Sequence, residues 1–263
     1  SSMIRSLRAG LLGGAFVLGL AASAADAHSP YLMPSVFDAS DRTLVTVEGA
    51  FTESFFTPEV VMKSDAYAVI GPDGARASLA PTYLRQLAIV EVATEKPGTY
   101  RITTGQRAGR VAKAALVDGE WKFFEGDKAP ANAIDMRSVT TADVYVTRGA
   151  PNDAALAPTG KGLEFHPITH PSKIVTGQPA LFEALFDGKP LAGLAVTLSA
   201  ADDRYADAKA PPKTFTTDAK GRVAVKVERS GVYQIQARHR VASAGPGQPG
   251  QSHTYALTFE SLR

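Results

Sequence analysis

The chain has no cysteine. Disulfides, zinc–thiolate sites, iron–sulfur clusters and thiol nucleophiles are therefore all excluded. An exported protein without cysteine holds together by packing alone, which suits the bacterial periplasm. Charge of one sign is equally scarce. The 28 basic and 26 acidic residues nearly cancel to a formal +2, with no Lys/Arg cluster, so nothing points to nucleic acid or to a strongly anionic partner. After residue 27 no apolar run approaches the roughly 20 residues of a membrane span. The same region lacks a sustained 3.6-residue apolar period, which argues against long helices. There is no G-x-S-x-G, no H-E-x-x-H and no P-loop, and the chain is read as a non-enzyme with no catalytic residue assigned.

What is present begins with a leader. Ser1 and Ser2 precede Met3 and are set aside. "MIRSLR" supplies two arginines, "AGLLGGAFVLGLAA" is apolar, and "ASAADA" puts Ala25 and Ala27 at the positions of an A-x-A cleavage site. Together these predict a signal peptide over 1–27 and a periplasmic protein. Cleavage after Ala27 makes His28 the first residue. It then carries a free α-amine of pKa near 7.7–8.0 beside an imidazole near 6.5. The amine and Nδ1 of one residue can close a chelate ring on a metal. Pro30 lacks an N–H, so the third backbone amide cannot join the site.

The rest reads as all-β. Short alternating segments such as 43–50, 87–93, 99–105, 180–186, 232–240 and 253–260 are separated by "GPDG", "VDGE", "FDGK" and "DAKG" turns. Their spacing predicts two tandem β-sandwiches, Ig-like or transthyretin-like: an N-terminal β-domain over 28–154 and a C-terminal Ig-like sandwich over 155–263. An internal echo supports the pair, "EKPGTYRITTG" (95–105) against "ERSGVYQIQAR" (228–238). The Pro/Gly/Ala-rich stretch 148–162 reads as the linker.

Five histidines are candidate ligands. Alternation puts Tyr233, Ile235, Ala237 and His239 on one strand face, with Gln234, Gln236, Arg238 and Arg240 toward water. His253, Tyr255, Leu257 and Phe259 share a face of the next strand. His239 and His253 then fall at the same end of one hairpin, at a spacing of about 5 Å that an ion could bridge. Two core-capping histidines satisfied by a carbonyl or a tyrosine would give the same pattern. His166 and His170 lie in "FHPITHP", where prolines forbid a helix, so His170 falls in a loop. The loop "AFTESFFTPEV" (50–60) carries Glu53 and Glu59 among aromatics. Glu53 is a potential oxygen ligand, although such residues more often cap turns. The expected metal set is His28, His170, His239 and His253. Nitrogen ligation without thiolate suits Cu, Ni, Zn or Co.

The mature start "AHSPYLMPS" and the stretches "GAFTESFFTPEVVM…VIGPDG", "APTGKGLEFHPITHP", "FDGKPLAG" and "TDAKGRVAVKVERSGVYQIQARHR" resemble the DUF4198 family over nearly the whole mature chain. These are periplasmic proteins sometimes labelled as a NikM-like subunit of nickel transport. The resemblance implies an exported β-rich protein linked to uptake of a transition metal such as nickel, cobalt or iron, with a membrane or outer-membrane metal transporter as partner. Two other readings stand beside it: a docking module of Ig-like domains without metal, and a copper monooxygenase-like enzyme built on an N-terminal histidine.

Overall fold

The computed structural model describes residues 28–207 and 212–263. The segment 1–27, expected to be a signal peptide, lies outside them. In the first part run β1 (Ser29–Pro34), β2 (Leu44–Thr52), β3 (Val60–Val61), β4 (Ala68–Ile70), β5 (Arg76–Ser78), β6 (Thr82–Tyr83), β7 (Ala88–Ala93), β8 (Gly98–Thr103), β9 (Arg107–Val117), β10 (Glu120–Phe124) and β11 (Ile134–Arg148). The second part holds β12 (Leu163–Pro167), β13 (Ala180–Phe186), β14 (Lys189–Pro190), β15 (Ala195–Ala200), β16 (Lys213–Thr216), β17 (Arg222–Val225), β18 (Gly231–Val241) and β19 (Gly250–Ser261). Helical structure among the described residues is confined to short 3-10 turns, the longest being Ala201–Tyr205. No helix there is long and apolar enough to cross a membrane. The all-β expectation is met.

The architecture turns on one large sheet in the order β16-β15-β18-β19-β11-β8-β4-β5, with β9 on β11 and β10 on β9. Its centre is a parallel pairing of β11 with β19, Met136↔Gly250 through Val144↔Thr258. Successive side chains of a strand point to opposite faces, and β11 uses both. Ala142, Val144 and Val146 enter a core with Leu32, Val47, Met62, Val90 and Ile102 under the sheet β1-β2-β7-β6. Tyr145 enters a second core with Phe165, Phe182, Val196, Ile235, Tyr255 and Phe259 under the sheet β12-β13-β14, to which β17 adds. Two sandwiches thus share a central sheet, one core on each of its faces.

The internal echo has a structural meaning. Tyr100 Oη donates to Lys96 O at 2.7 Å, and Tyr233 Oη donates to Arg229 O at 2.7 Å. Each ring enters its core while its hydroxyl ties the strand to the carbonyl four residues earlier, the tyrosine-corner device of Greek-key sandwiches. Each Tyr follows a glycine at positive φ, Gly98 (+127°) and Gly231 (+153°). At Gly98 a Cβ would lie 2.6 Å from Pro72 and 2.9 Å from Asn152, so only glycine fits there.

Two expectations change. The stretch 148–162 is no loose linker: Leu156 is 5 % exposed in the second core. Asn152 accepts from Thr99 N–H and donates to Pro72 O, and Ala157 O accepts from Arg101. Gln234, expected in water, is 1 % exposed. Its face of β18 is covered by β1, where Gln234 Nε2 donates to Pro30 O at 2.8 Å.

Candidate metal centre

The site is built by strand register. β1 pairs antiparallel with β2, ending at Ser29↔Thr52. One step further, this register brings His28 beside Glu53. On the other side of β2, β3 pairs Val60 with Phe51, and Glu59 N–H donates to Phe51 O at 3.1 Å, which brings Glu59 alongside Thr52. Residues 53–59 form the loop between. Thr52 Oγ1 closes it by accepting from Ser54 N–H at 2.9 Å and lying 2.5 Å from Thr57 O. One imidazole and two carboxylates so meet at one end of a three-strand ladder.

The ligand-capable atoms of His28, Glu53 and Glu59 all lie within 4.8 Å of one another. His28 Nε2 sits 2.7 Å from Glu59 Oε2. Glu59 Oε1 accepts from Glu53 N–H at 3.1 Å and lies 3.2 Å from Thr52 Oγ1. Donation from the Glu53 amide lowers the Glu59 carboxyl below the usual carboxylate range, burial opposes that shift, and the His28 and Thr52 contacts add to it. Glu59 is thereby held as an anion facing the imidazole. His28 and Glu59 side chains are 16 % and 34 % exposed, and Glu53 is exposed, so the site opens to solvent on the Glu53 side. Beneath it Tyr31, fully buried, packs edge-on against Phe56 at 5.2 Å and Phe55 at 6.1 Å between ring centroids. These rings fix the loop from below.

The donor set fits an ion. Metal–nitrogen and metal–oxygen bonds of about 2.0–2.2 Å at tetrahedral or octahedral angles set ligand atoms roughly 3 Å apart. Replacing the proton between His28 Nε2 and Glu59 Oε2 by a cation needs an opening of a few tenths of an ångström from 2.7 Å.

The other expected ligands do not converge here. His170 caps the Pro171–Lys173 turn, its Nδ1 accepting from Ser172 N–H at 3.1 Å. Its Nε2 donates to Asn152 O at 2.9 Å and lies 3.1 Å from Thr99 Oγ1. With both nitrogens engaged and 9 % exposure, His170 is a buried joint. His166 Nδ1 donates to Leu156 O at 2.9 Å. His239 and His253 are directly paired across β18 and β19, as their alternation predicts. They flank the edge of Phe186 at 4.7 and 5.0 Å, and His253 Nε2 bonds Gln251 Oε1 at 2.8 Å. Desolvation lowers the pKa of both. This pair is remote from His28. Gln234, which touches Pro30, is five residues from His239, about 16 Å along the strand and on the opposite face. Glu59 was the residue sequence reasoning passed over. Its signal was present: two glutamates bracketing an aromatic tip within one loop.

The profile of a domain of unknown function, DUF4198, matches residues 25–241. The chain belongs to the DUF4198 family. No curated protein matches. Solved structures that the chain matches include the D0-D1 domain of intimin, at 11 % identity, 89 % of this chain, 98 % of that chain and a TM-score of 0.23. A bacterial ice-binding adhesin matches at 13 % identity, 89 % of this chain, 64 % of that one and a TM-score of 0.23. The Escherichia coli adhesin FdeC matches at 14 % identity, 90 % and 64 % coverage and a TM-score of 0.23. The DUF4198 chain therefore spans just under two thirds of the last two.

Proposed function

We propose that this DUF4198 protein is an exported, periplasmic transition-metal-binding protein whose ion is held by His28, Glu53 and Glu59. The observation that carries the reading is the convergence of one imidazole and two carboxylates within 4.8 Å on a ladder end rigidified by Thr52 and the Tyr31–Phe55–Phe56 cluster. Cleavage after Ala27 adds the α-amine of His28 as a fourth donor. Two chemistries are then open to the imidazole. Nε2 can face the ion directly. Alternatively, Nε2–H stays on Glu59, which fixes the tautomer so that Nδ1 and the amine form the chelate ring, a carboxylate–histidine arrangement that raises ligand basicity.

A mixed nitrogen and oxygen set without thiolate suits Ni(II), Co(II), Cu(II), Zn(II) or Fe(II). The link to nickel and cobalt uptake that the sequence resemblance implies would make the ion cargo, handed to a membrane transporter. The protein would then act as a carrier without turnover.

The test is calorimetric titration of residues 28–263 with Ni(II), Co(II), Cu(II) and Zn(II), repeated for Glu59→Gln and His28→Ala. One ion per chain is expected, weakened at least tenfold, about 1.4 kcal/mol, by either change. Affinity that is unchanged in both variants, or absent in the wild type, would refute the assignment.

A further inference from the structure

A cavity of about 420 Å³ opens at the seam between the two sandwiches, with none of His28, Glu53 and Glu59 in its lining. Its walls come from β5 and β8 on one side and from the 159–164 segment and β19 on the other. Arg101 forms part of the lining while being 5 % exposed. It is anchored from behind: Nε donates to Asp143 Oδ2 at 3.1 Å and Nη1 to Ala157 O at 3.2 Å. Asp143 Oδ2 is held in turn by Tyr255 Oη at 2.7 Å. At the rim stand Arg76 and Lys161, both exposed. The hydroxyls of Thr103 and Thr141 add donors.

One carboxylate shares the lining, Glu164. Its charge is already committed. Oε1 accepts from Thr159 N–H at 2.9 Å, and Oε2 accepts from Thr159 Oγ1 at 2.9 Å and Gly160 N–H at 3.0 Å. Its approach to Arg101 Nη2 is 3.9 Å, too long for a hydrogen bond. Arg101 is paired from behind with Asp143, so the net positive charge at the cavity comes from Arg76 and Lys161, against one carboxylate turned into its own backbone loop. Low-dielectric walls focus such a field and draw in anions.

We propose that this seam cavity binds a small di- or tricarboxylate. Arg101 is fixed in orientation by Nε on Asp143 and Nη1 on Ala157 O, which leaves its Nη2 N–H groups to donate to one carboxylate. Arg76 and Lys161 meet a second at the rim. Two anionic ends on one short carbon chain use both depths of the site, whereas a single-centred oxyanion uses one. The volume lies within the usual range for small-molecule pockets. A ligand there touches β8 of one sandwich and the 159–164 segment of the other, so binding tightens the seam.

The experiment is calorimetry and thermal unfolding of residues 28–263 with succinate, citrate and inorganic phosphate at low ionic strength, without added metal. Succinate or citrate is expected to bind one per chain with Kd under about 1 mM and to raise Tm. The double variant Arg76→Ala/Lys161→Ala alters two exposed side chains and leaves the Arg101 anchor intact. It should weaken binding at least tenfold, while Lys122→Ala on β10 should leave binding unchanged. No binding to wild type at about 10 mM carboxylate, unchanged affinity in the double variant, or phosphate binding more tightly than both carboxylates would each overturn the proposal.

Discussion

Replacing Arg101 by Met tests how the two sandwiches are joined. Arg101 and Asp143 side chains are 6 % and 0 % exposed, and Glu164 is 4 % exposed. Burial disfavours the guanidinium charge, yet Asp143, with help from Tyr145, Tyr255 and Glu164, holds its pKa above the ordinary value. Methionine fills a similar volume without charge. It leaves Asp143 inside with Tyr255 Oη as its hydrogen-bond donor, and it removes the cation beside Glu164. Breaking a buried pair by deleting one partner costs about 3–5 kcal/mol, out of a typical total of about 5–15 kcal/mol. Urea unfolding followed by circular dichroism at pH 7 should show a loss of that size. Arg101→Met/Asp143→Asn should cost at least about 1 kcal/mol less than the sum of the single changes. A loss under about 1 kcal/mol for Arg101→Met, or additive single changes, would refute the view that these groups form one unit.

Three further outcomes are expected. Acetylating the α-amine of the protein that begins at His28 should weaken Cu(II) or Ni(II) binding at least tenfold, about 1.4 kcal/mol; equal affinity in a titration would remove the amine from the ligand set. Tyr31→Phe should change unfolding free energy by less than about 0.5 kcal/mol or raise it slightly, because the buried Tyr31 Oη has no hydrogen-bond partner; a loss above about 1 kcal/mol in urea would contradict this. His239 and His253 have folded pKa values lowered by burial, so the unfolded chain binds more protons just below about pH 6.5. The stability they contribute is present above that pH and is lost as pH falls through their folded values. Melting scans from pH 7.5 to 5 should show this decline, and a His239→Gln/His253→Gln variant should show a flatter one.

Strands with a clean two-residue period were legible from the sequence, because alternation records which face meets a core. "ALFEALF" is β13 residue for residue, and the Gly-x-Tyr echo marked both tyrosine corners. Illegible strands lacked that period or broke a local rule. β1 is "SPYLMP", and prolines argue against a strand unless it lies at an edge, where this one sits. The first half of β11, "IDMRSVTTA", is largely polar and pairs in parallel with a strand more than a hundred residues away. Alternation also gives two faces without saying what covers the second. That is why Gln234, polar and on the face away from the second core, was placed in water although β1 lies on it.

The candidate site divides along the same line. His28 was legible as candidate chemistry, because an A-x-A motif and a histidine adjoin in sequence. Its carboxylate partners depend on which strands lie beside β1, information held in register and not in spacing. A loop of seven residues can carry Glu53 and Glu59 to many relative positions. Only the pairings Ser29↔Thr52 and Phe51↔Val60 bring both to the same ladder end. The histidine pair shows the converse. His239 and His253 were correctly paired because a hairpin fixes register locally. The sequence could not show that β1 runs across the other face of that sheet, so four histidines that read as one ligand set fall into separate places. The loop 53–59 therefore decides between the readings of this protein. If Glu59→Gln leaves metal affinity intact while His28→Ala abolishes it, His28 binds alone through its own chelate ring. If both abolish it, the strand register has made the site.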